Sequence, residues 1–234
     1  MDLLTFGLTR GGAELPVVDF FGLAVQRIDV GELAVFGVEG RGRPAATDEA
    51  LTKFDEIIRR TAELHPVVPH RFGLVTTKDA VEADLRHNAA AFGHALDLVE
   101  GRDEWLVRIR PRTDDVLKVA DTDTVERIKA ETTTIERGAL VHGVVASSAR
   151  RAAAVIEATL DGSDAASFTS AHDDALGADV VALMSRDVEV RQWTEKATVD
   201  VRRFADVELT GPGPAYRFAG RLTTDMVRRE KENV

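Results

Sequence analysis

Few residue groupings in this chain have the types and spacing to do chemistry, and each meets a specific obstacle. Arg71 stands in the apolar run Val67-Val68-Pro69-His70-Arg71-Phe72-Gly73-Leu74-Val75, where a buried guanidinium needs a carboxylate or several carbonyl acceptors. That predicts an internal ion pair, with Glu104 a candidate partner, or else a contact to a carboxylate on another protein. A third reading joins Arg71 and His70 with nearby carboxylates as an enzyme site. His87 and His94 share an expected helix face, and His65 and His70 flank the apolar run. A metal site needs three or four convergent ligands, and nothing in the sequence brings these together. Asp121-Thr122-Asp123 lacks the central Gly and terminal Glu of a calcium loop, so it reads as solvated loop carboxylates, as do Asp114-Asp115 and Asp173-Asp174. Gly40-Arg41-Gly42 has no Lys-Ser/Thr behind it to hold a phosphate. Ser147, Ser148 and Ser163 lack a Gly-x-Ser-x-Gly setting and an identifiable base. No catalytic residue, metal ligand or cofactor is therefore assigned.

Composition narrows the classes further. The absence of Cys removes thiolate catalysis, disulfides and iron–sulfur clusters. A formal net charge of −10 disfavours nonspecific nucleic-acid binding, which needs a basic face to neutralise phosphates. Arginine far outnumbers lysine, but pairs such as Arg59-Arg60, Arg150-Arg151, Arg202-Arg203 and Arg228-Arg229 are scattered among acidic residues and read as ion-paired surface. With 44% apolar and 30% charged residues, no signal-peptide pattern and no apolar stretch near the roughly 20 residues of a membrane span, a cytoplasmic globular protein is expected.

The elements that would position these residues follow from periodicity. Leu3 to Leu8, Leu23 to Ile28 and Leu33 to Val38 read as strands, the last two joined as a hairpin across Asp29-Val30-Gly31-Glu32. Thr47 caps a helix to Leu64 whose apolar stripe is Leu51, Phe54, Ile57, Ile58, Thr61 and Leu64, and Pro66 stops it. Thr76-Thr77 opens a second helix, through Val99, with Gly101 as its stop. Glu104 to Arg110 alternates like a half-buried strand, and residues 111 to 124 read as a loop. A long or broken helix from Ile128 to Leu160 follows, then strands at Ser167 to His172 and Asp179 to Met184, a helix over 186 to 204, and a strand at Val207 to Thr210.

This predicts an α+β protein of two domains. The first, residues 1–101, is an α/β unit of three to four strands and two helices. The second, residues 102–222, is a ferredoxin-like βαββαβ domain ending in a Pro-rich strap, and 223–234 form a charged tail. In the strap, Pro212 and Pro214 preset an extended segment, and Tyr216 and Phe218 point to one side of it.

Arg71-Phe72-Gly73 behind Val67-Val68-Pro69, the long helix after them, and Glu104-Trp105-Leu106-Val107-Arg108 resemble the GvpL/GvpF family of gas vesicle accessory proteins. Val207-Glu208-Leu209-Thr210-Gly211-Pro212 with Pro214, Tyr216 and Phe218 resembles that family's closing motif. The chain departs from the family pattern at His70, where an apolar residue is usual, at Leu74, where a Thr is usual, and in the less bulky Gly213-Pro214-Ala215. The resemblance implies a two-domain protein without known catalysis that helps assemble a gas vesicle shell by binding the small hydrophobic shell protein (GvpA-type) and other accessory proteins. On it, Pro69, Arg71, Phe72, Gly73, Glu104, Gly211, Pro212, Pro214, Tyr216 and Phe218 are the motif residues, structural or partner-binding. The expected function is a non-enzymatic assembly factor, cytoplasmic and gas vesicle associated. The alternative is a small-molecule-sensing or regulatory ferredoxin-like module, and fold alone does not choose between them.

Overall fold

A computed structural model describes residues 2–40, 42–160, 166–171 and 176–220. The chain divides into two compact units: among the described residues, one holds 2–104 with 213–220, the other 105–212. The division falls at 104/105, and the chain returns to the first unit at Gly213, whereas the sequence pattern predicts a second domain over residues 102–222. Ser163, His172, Asp173-Asp174, Arg41 and the 223–234 tail lie outside the described residues.

The first unit is built on β1 (Asp2–Arg10), whose residues are buried from Leu3 to Thr9. A strand covered on both faces loses the usual apolar–polar alternation, which is how Leu3-Leu4-Thr5-Phe6-Gly7-Leu8 reads. After a two-residue hairpin, β2 (Asp19–Phe20) with β3 (Leu23–Ala24), come β4 (Gln26–Val30) and β5 (Leu33–Glu39). The expected second strand is therefore two pieces. β5 pairs antiparallel with β1 from Leu3↔Glu39 to Arg10↔Leu33, with the register shifting between Thr5 and Gly7. Helix α1 (Asp48–Leu64) starts where expected, with Thr47 Oγ1 accepting the Ala50 N–H at 3.2 Å. Its Phe54, Ile57 and Ile58 join Leu4, Phe6, Phe20, Phe36 and Val38 in one core. Each such side chain contributes about 1.5–3 kcal/mol on burial. Leu51 and Leu64, at the margins of the predicted stripe, stay exposed.

The chain then pairs with β1 twice, through β6 (Val68–Pro69) and β7 (Val75–Thr77), giving a sheet of order β4-β5-β1-β6 with β7 also on β1. The single helix expected after Thr77 is two: α2 (Lys78–His87), capped by Thr77, and α3 (Ala89–Val99). They meet at Asn88, which has non-helical φ/ψ and donates its side-chain amide to Asp84 Oδ1 at 2.6 Å. Asn competes with the helix through such local bonds. The break leaves His87 and His94 on different helices.

In the second unit, β8 (Arg102–Pro111) begins two residues earlier than expected and continues into that unit. The stretch read as a loop carries α4 (Thr113–Val119) and α5 (Thr122–Ala130). Its Asp residues are first-turn and capping groups: Asp121 Oδ1 accepts the Thr124 N–H at 2.8 Å, and Asp115 bonds Arg112 and Lys118. Helix α6 (Thr134–Ala158) follows, capped by Thr133, so the long helix read from Ile128 is broken between Ala130 and Thr134. Strands β9 (Ala166–Ala171) and β10 (Ala178–Ser185) pair antiparallel, then α7 (Val190–Thr198), a 3-10 turn (Val201–Arg203) and β11 (Ala205–Gly213) complete the unit. The sheet order is β11-β8-β10-β9. Ala149, Ala152, Ala153 and Ile156 of α6 pack on Val107, Ile109, Ala178 and Val180, small side chains letting the helix lie close to the sheet. α6 is the one described helix long and apolar enough, by length and composition, to cross a membrane. Its last half is built into this core, while Ile135 near its start is 87% exposed.

Candidate functional site

Two separated parts of the sequence meet α1 in the first unit, and a third, Glu104, holds the second of them. The loop between β6 and β7 supplies Phe72, whose ring meets Phe54 edge-on with centroids 5.2 Å apart; Phe54 in turn lies 5.1 Å from Phe6. The segment after Gly213 supplies Tyr216, which packs against the same core. Its hydroxyl donates to Oδ1 of Asp55 at 2.7 Å, and Arg59 Nε donates to Oδ2 of the same carboxylate at 2.5 Å. Burial is the main reason the Tyr216 hydroxyl is strongly raised in pKa, reinforced by Asp55.

Glu104 is the third part. Residues 216–220 are helical, not the extended strap expected from the prolines; Pro214 stands just ahead of them, where its fixed φ is compatible with a helix start, and the Tyr216 N–H bonds the Pro214 carbonyl at 2.8 Å. A first helical turn has N–H groups without internal partners. Glu104 Oε2 accepts two of them, from Arg217 at 2.8 Å and Phe218 at 3.0 Å. Burial raises its carboxyl pKa, and the two backbone N–H bonds only partly offset this. Phe218, with Ala215 and Ala219, is buried.

Arg71 behaves differently from the expectation. It is exposed, and Glu104, its candidate partner, is occupied by the 217–218 backbone. The cause is local: between its two pairings with β1 the chain turns outward, the Leu74 N–H bonding the Arg71 carbonyl at 3.2 Å and Gly73 adopting φ +77°. Arg71 therefore rides the turn instead of crossing the interior. The positive φ favours Gly there, and a β-carbon would also press on Arg43 Nε at 3.1 Å. Pro69 is buried in β6 opposite Gly7. Gly211 and Pro212, joined by a cis peptide, lie in β11 of the second unit and do not join the group around Tyr216.

Asp55 gave no sign in the sequence, because its i,i+4 pair with Arg59 looks like any helix-surface ion pair. Thr5, fully buried in β1, bonds both the Leu74 carbonyl and His70, also unforeseen. Among the described residues there is no cluster of three or more metal-ligating side chains. Ser148 is bonded to the Val144 carbonyl within α6.

The match to known proteins covers most of this arrangement. The family model for the gas vesicle synthesis protein GvpL/GvpF fits residues 8–220. The chain belongs to the GvpL/GvpF family. Membership places the protein in gas vesicle synthesis and associates it with gas vesicle assembly in the cell. Two solved structures share its fold: gas vesicle protein GvpF from Anabaena sp. PCC7120, 14% identical with a TM-score of 0.67, and GvpF from Microcystis aeruginosa, 15% identical with a TM-score of 0.68. In each case the match spans 93% of this chain and 98% of the other. No curated protein sequence matches the chain.

Proposed function

We propose that this member of the family is a non-enzymatic assembly factor that holds the small hydrophobic shell protein (GvpA-type), together with other accessory proteins, until the subunit enters the shell. The observation that carries this reading is the family match from residue 8 to residue 220, which takes in both motif regions. Shielding the apolar surface of a sparingly soluble subunit removes the driving force for wrong association. The shifted groups at Glu104 and Tyr216 support a structural role, because each is bonded to a group of its own fold. On this reading Pro69, Phe72, Gly73, Glu104, Pro214, Tyr216 and Phe218 hold the first unit together. Gly211 and Pro212 end the second, and Arg71 is the partner contact. The second unit is read as a ferredoxin-like domain: its strand order, with β8 and β10 central, and its helices α6 and α7 support that assignment. The protein is taken to work in the cytoplasm, at the growing vesicle.

Co-expression with the shell protein tests the function. The expected result is that the shell protein moves into the soluble fraction and copurifies with this chain. Persistent insolubility with no copurification would overturn the proposal.

A further inference from the structure

On the side of the β1 sheet away from Phe6 and α1, a cavity of about 300 Å³ opens against α2 and α3. Its walls are mostly apolar: Leu8 and Val35 from the sheet, Leu74 from the turn, Val81 and Leu85 from α2, Phe92 from α3. A volume of this size lies at the lower end of the range for small-molecule sites, roughly 300–1,000 Å³. His70 lines it as well, and so does Asp84.

The hydrogen bonds around Thr5 favour one tautomer of His70. Thr5 Oγ1 lies 3.3 Å from the Leu74 carbonyl oxygen and 2.9 Å from His70 Nδ1. A hydroxyl has one proton, and a carbonyl only accepts. The Leu74 carbonyl also accepts the Thr5 N–H at 3.0 Å, and the arrangement that makes all three contacts at once has the Thr5 hydroxyl donating to Leu74 and His70 Nδ1–H donating to Thr5. That tautomer leaves Nε2 as a bare acceptor, with no protein hydrogen-bond partner among the described residues. Burial holds the ring neutral, its pKa lowered to about 4. Of the other polar groups on the wall, the Asp84 carboxylate is an acceptor, one of whose oxygens already takes the Asn88 amide, and Thr76 carries a hydroxyl. The cavity is thus mostly apolar, with the acceptors His70 and Asp84, the Thr76 hydroxyl and no Lys or Arg among its lining residues, which disfavours anions and rewards a hydrogen-bond donor.

We infer that this cavity is a binding site for a small, uncharged, largely apolar molecule of one or two fused rings that carries a single N–H or O–H donor directed at His70 Nε2. The site is separate from the face of α1 that holds Tyr216, and its occupancy does not depend on shell-protein binding. The cavity is a half-open hollow walled by a sheet, a turn and two helices of one unit, a shape that suits a small molecule better than a flat protein face.

The probe pair is indole and 1-methylindole, which differ in the donor alone. Titration of the full-length protein followed by NMR of its side-chain imidazole nitrogens is expected to give saturable indole binding, with a shift of the His70 Nε2 resonance and at least tenfold weaker binding of 1-methylindole. Ala80, an exposed residue on the cavity wall, gives a variant that leaves the core intact: Ala80→Trp is expected to fill the space and abolish indole binding while the circular dichroism spectrum is kept. His70→Phe is expected to bind indole and 1-methylindole alike. Absence of saturable indole binding at millimolar concentration, equal affinity for the two probes in the unmodified protein, or undiminished binding by a folded Ala80→Trp variant would each overturn the assignment. Shell-protein copurification is read separately on the same Ala80→Trp variant, so loss of the small-molecule site and loss of the assembly role are distinguished.

Discussion

The Tyr216 hydroxyl reaches Oδ1 of Asp55 at 2.7 Å across 161 positions of sequence, and this bond joins the returning end of the described chain to the first helix. Tyr216→Phe keeps the ring in the core and removes the donor alone. Asp55 remains paired with Arg59 and is partly solvated, so the cost is expected at about 1 kcal/mol, the net worth of one hydrogen bond. Urea unfolding of Tyr216→Phe, Asp55→Ala and the double variant checks it: the double variant should lose less than the sum of the singles, by a coupling of about 1 kcal/mol.

Glu104 gives a pH signature of definite sign. Its carboxyl pKa is raised in the folded state above the ordinary 4.5, so the folded form binds a proton that the unfolded chain has already released. The stabilisation is full below pH 4.5 and is lost as pH rises through the raised value. Glu104→Gln keeps an oxygen to accept the Arg217 and Phe218 N–H groups and cannot titrate. The stability of the unmodified protein minus that of Glu104→Gln should therefore fall as pH rises from 4.5. A difference that stays flat or rises would show that the carboxylate is not held in a desolvated place.

His70 has the opposite slope. Its pKa falls from 6.5 to about 4 on folding, so the unfolded chain binds a proton in that interval and the folded protein does not. Stability from this source is present above pH 6.5 and is lost as pH falls toward 4. Denaturant midpoints measured between pH 4 and 7 should show a steeper acid-side loss for the unmodified protein than for His70→Phe. Carboxylates with lowered pKa values, such as Asp29 and Asp121, act in the same direction but are common to both proteins.

The turn that carries Arg71 rests on Gly73. At φ +77° any L side chain is strained, and a β-carbon also crowds Arg43. Gly73→Ala is expected to cost about 1–2 kcal/mol. Phe72→Ala, which removes a partly buried ring from its edge contact with Phe54, should cost about 2 kcal/mol, below the 3–5 of a fully buried Phe. Thermal unfolding checks both, and a Gly73→Ala protein as stable as the parent would mean the turn takes another conformation.

Where a signal is local, it was legible. Thr47 ahead of an apolar stripe, the unbroken apolar run of β1 and the Gly31 turn into β5 each state their element within a few residues. The break at Asn88 was hidden because Val81, Leu85, Phe92, Leu96 and Val99 keep helical spacing across it, and neither Gly nor Pro marks the place. Residues 111–124 read as a loop because Asp and Thr favour turns and helix starts alike; here they are the starts of α4 and α5. The site was half legible. The sequence marks its motif residues, but their grouping depends on Asp55 and on a helical turn after Pro214, neither of which leaves a pattern in nearby sequence.

Arg71 is where that difference matters most for function. A buried guanidinium would have made Arg71→Met a folding defect. The observed residue is exposed on a turn whose shape is set by Gly73 and by the Leu74 N–H bond to the Arg71 carbonyl, neither of which needs the side chain. Among the described residues it has no side-chain partner, so Arg71→Ala should change stability by no more than about 0.5 kcal/mol. An ordered turn presenting a cation suits recognition of a carboxylate on another protein. Arg71→Glu should then reduce copurification of the shell protein or another vesicle component at least tenfold, with an unchanged unfolding curve, and Arg71→Lys should restore it only in part because the bidentate fork is lost. Full copurification by Arg71→Glu would place the partner surface elsewhere on the molecule.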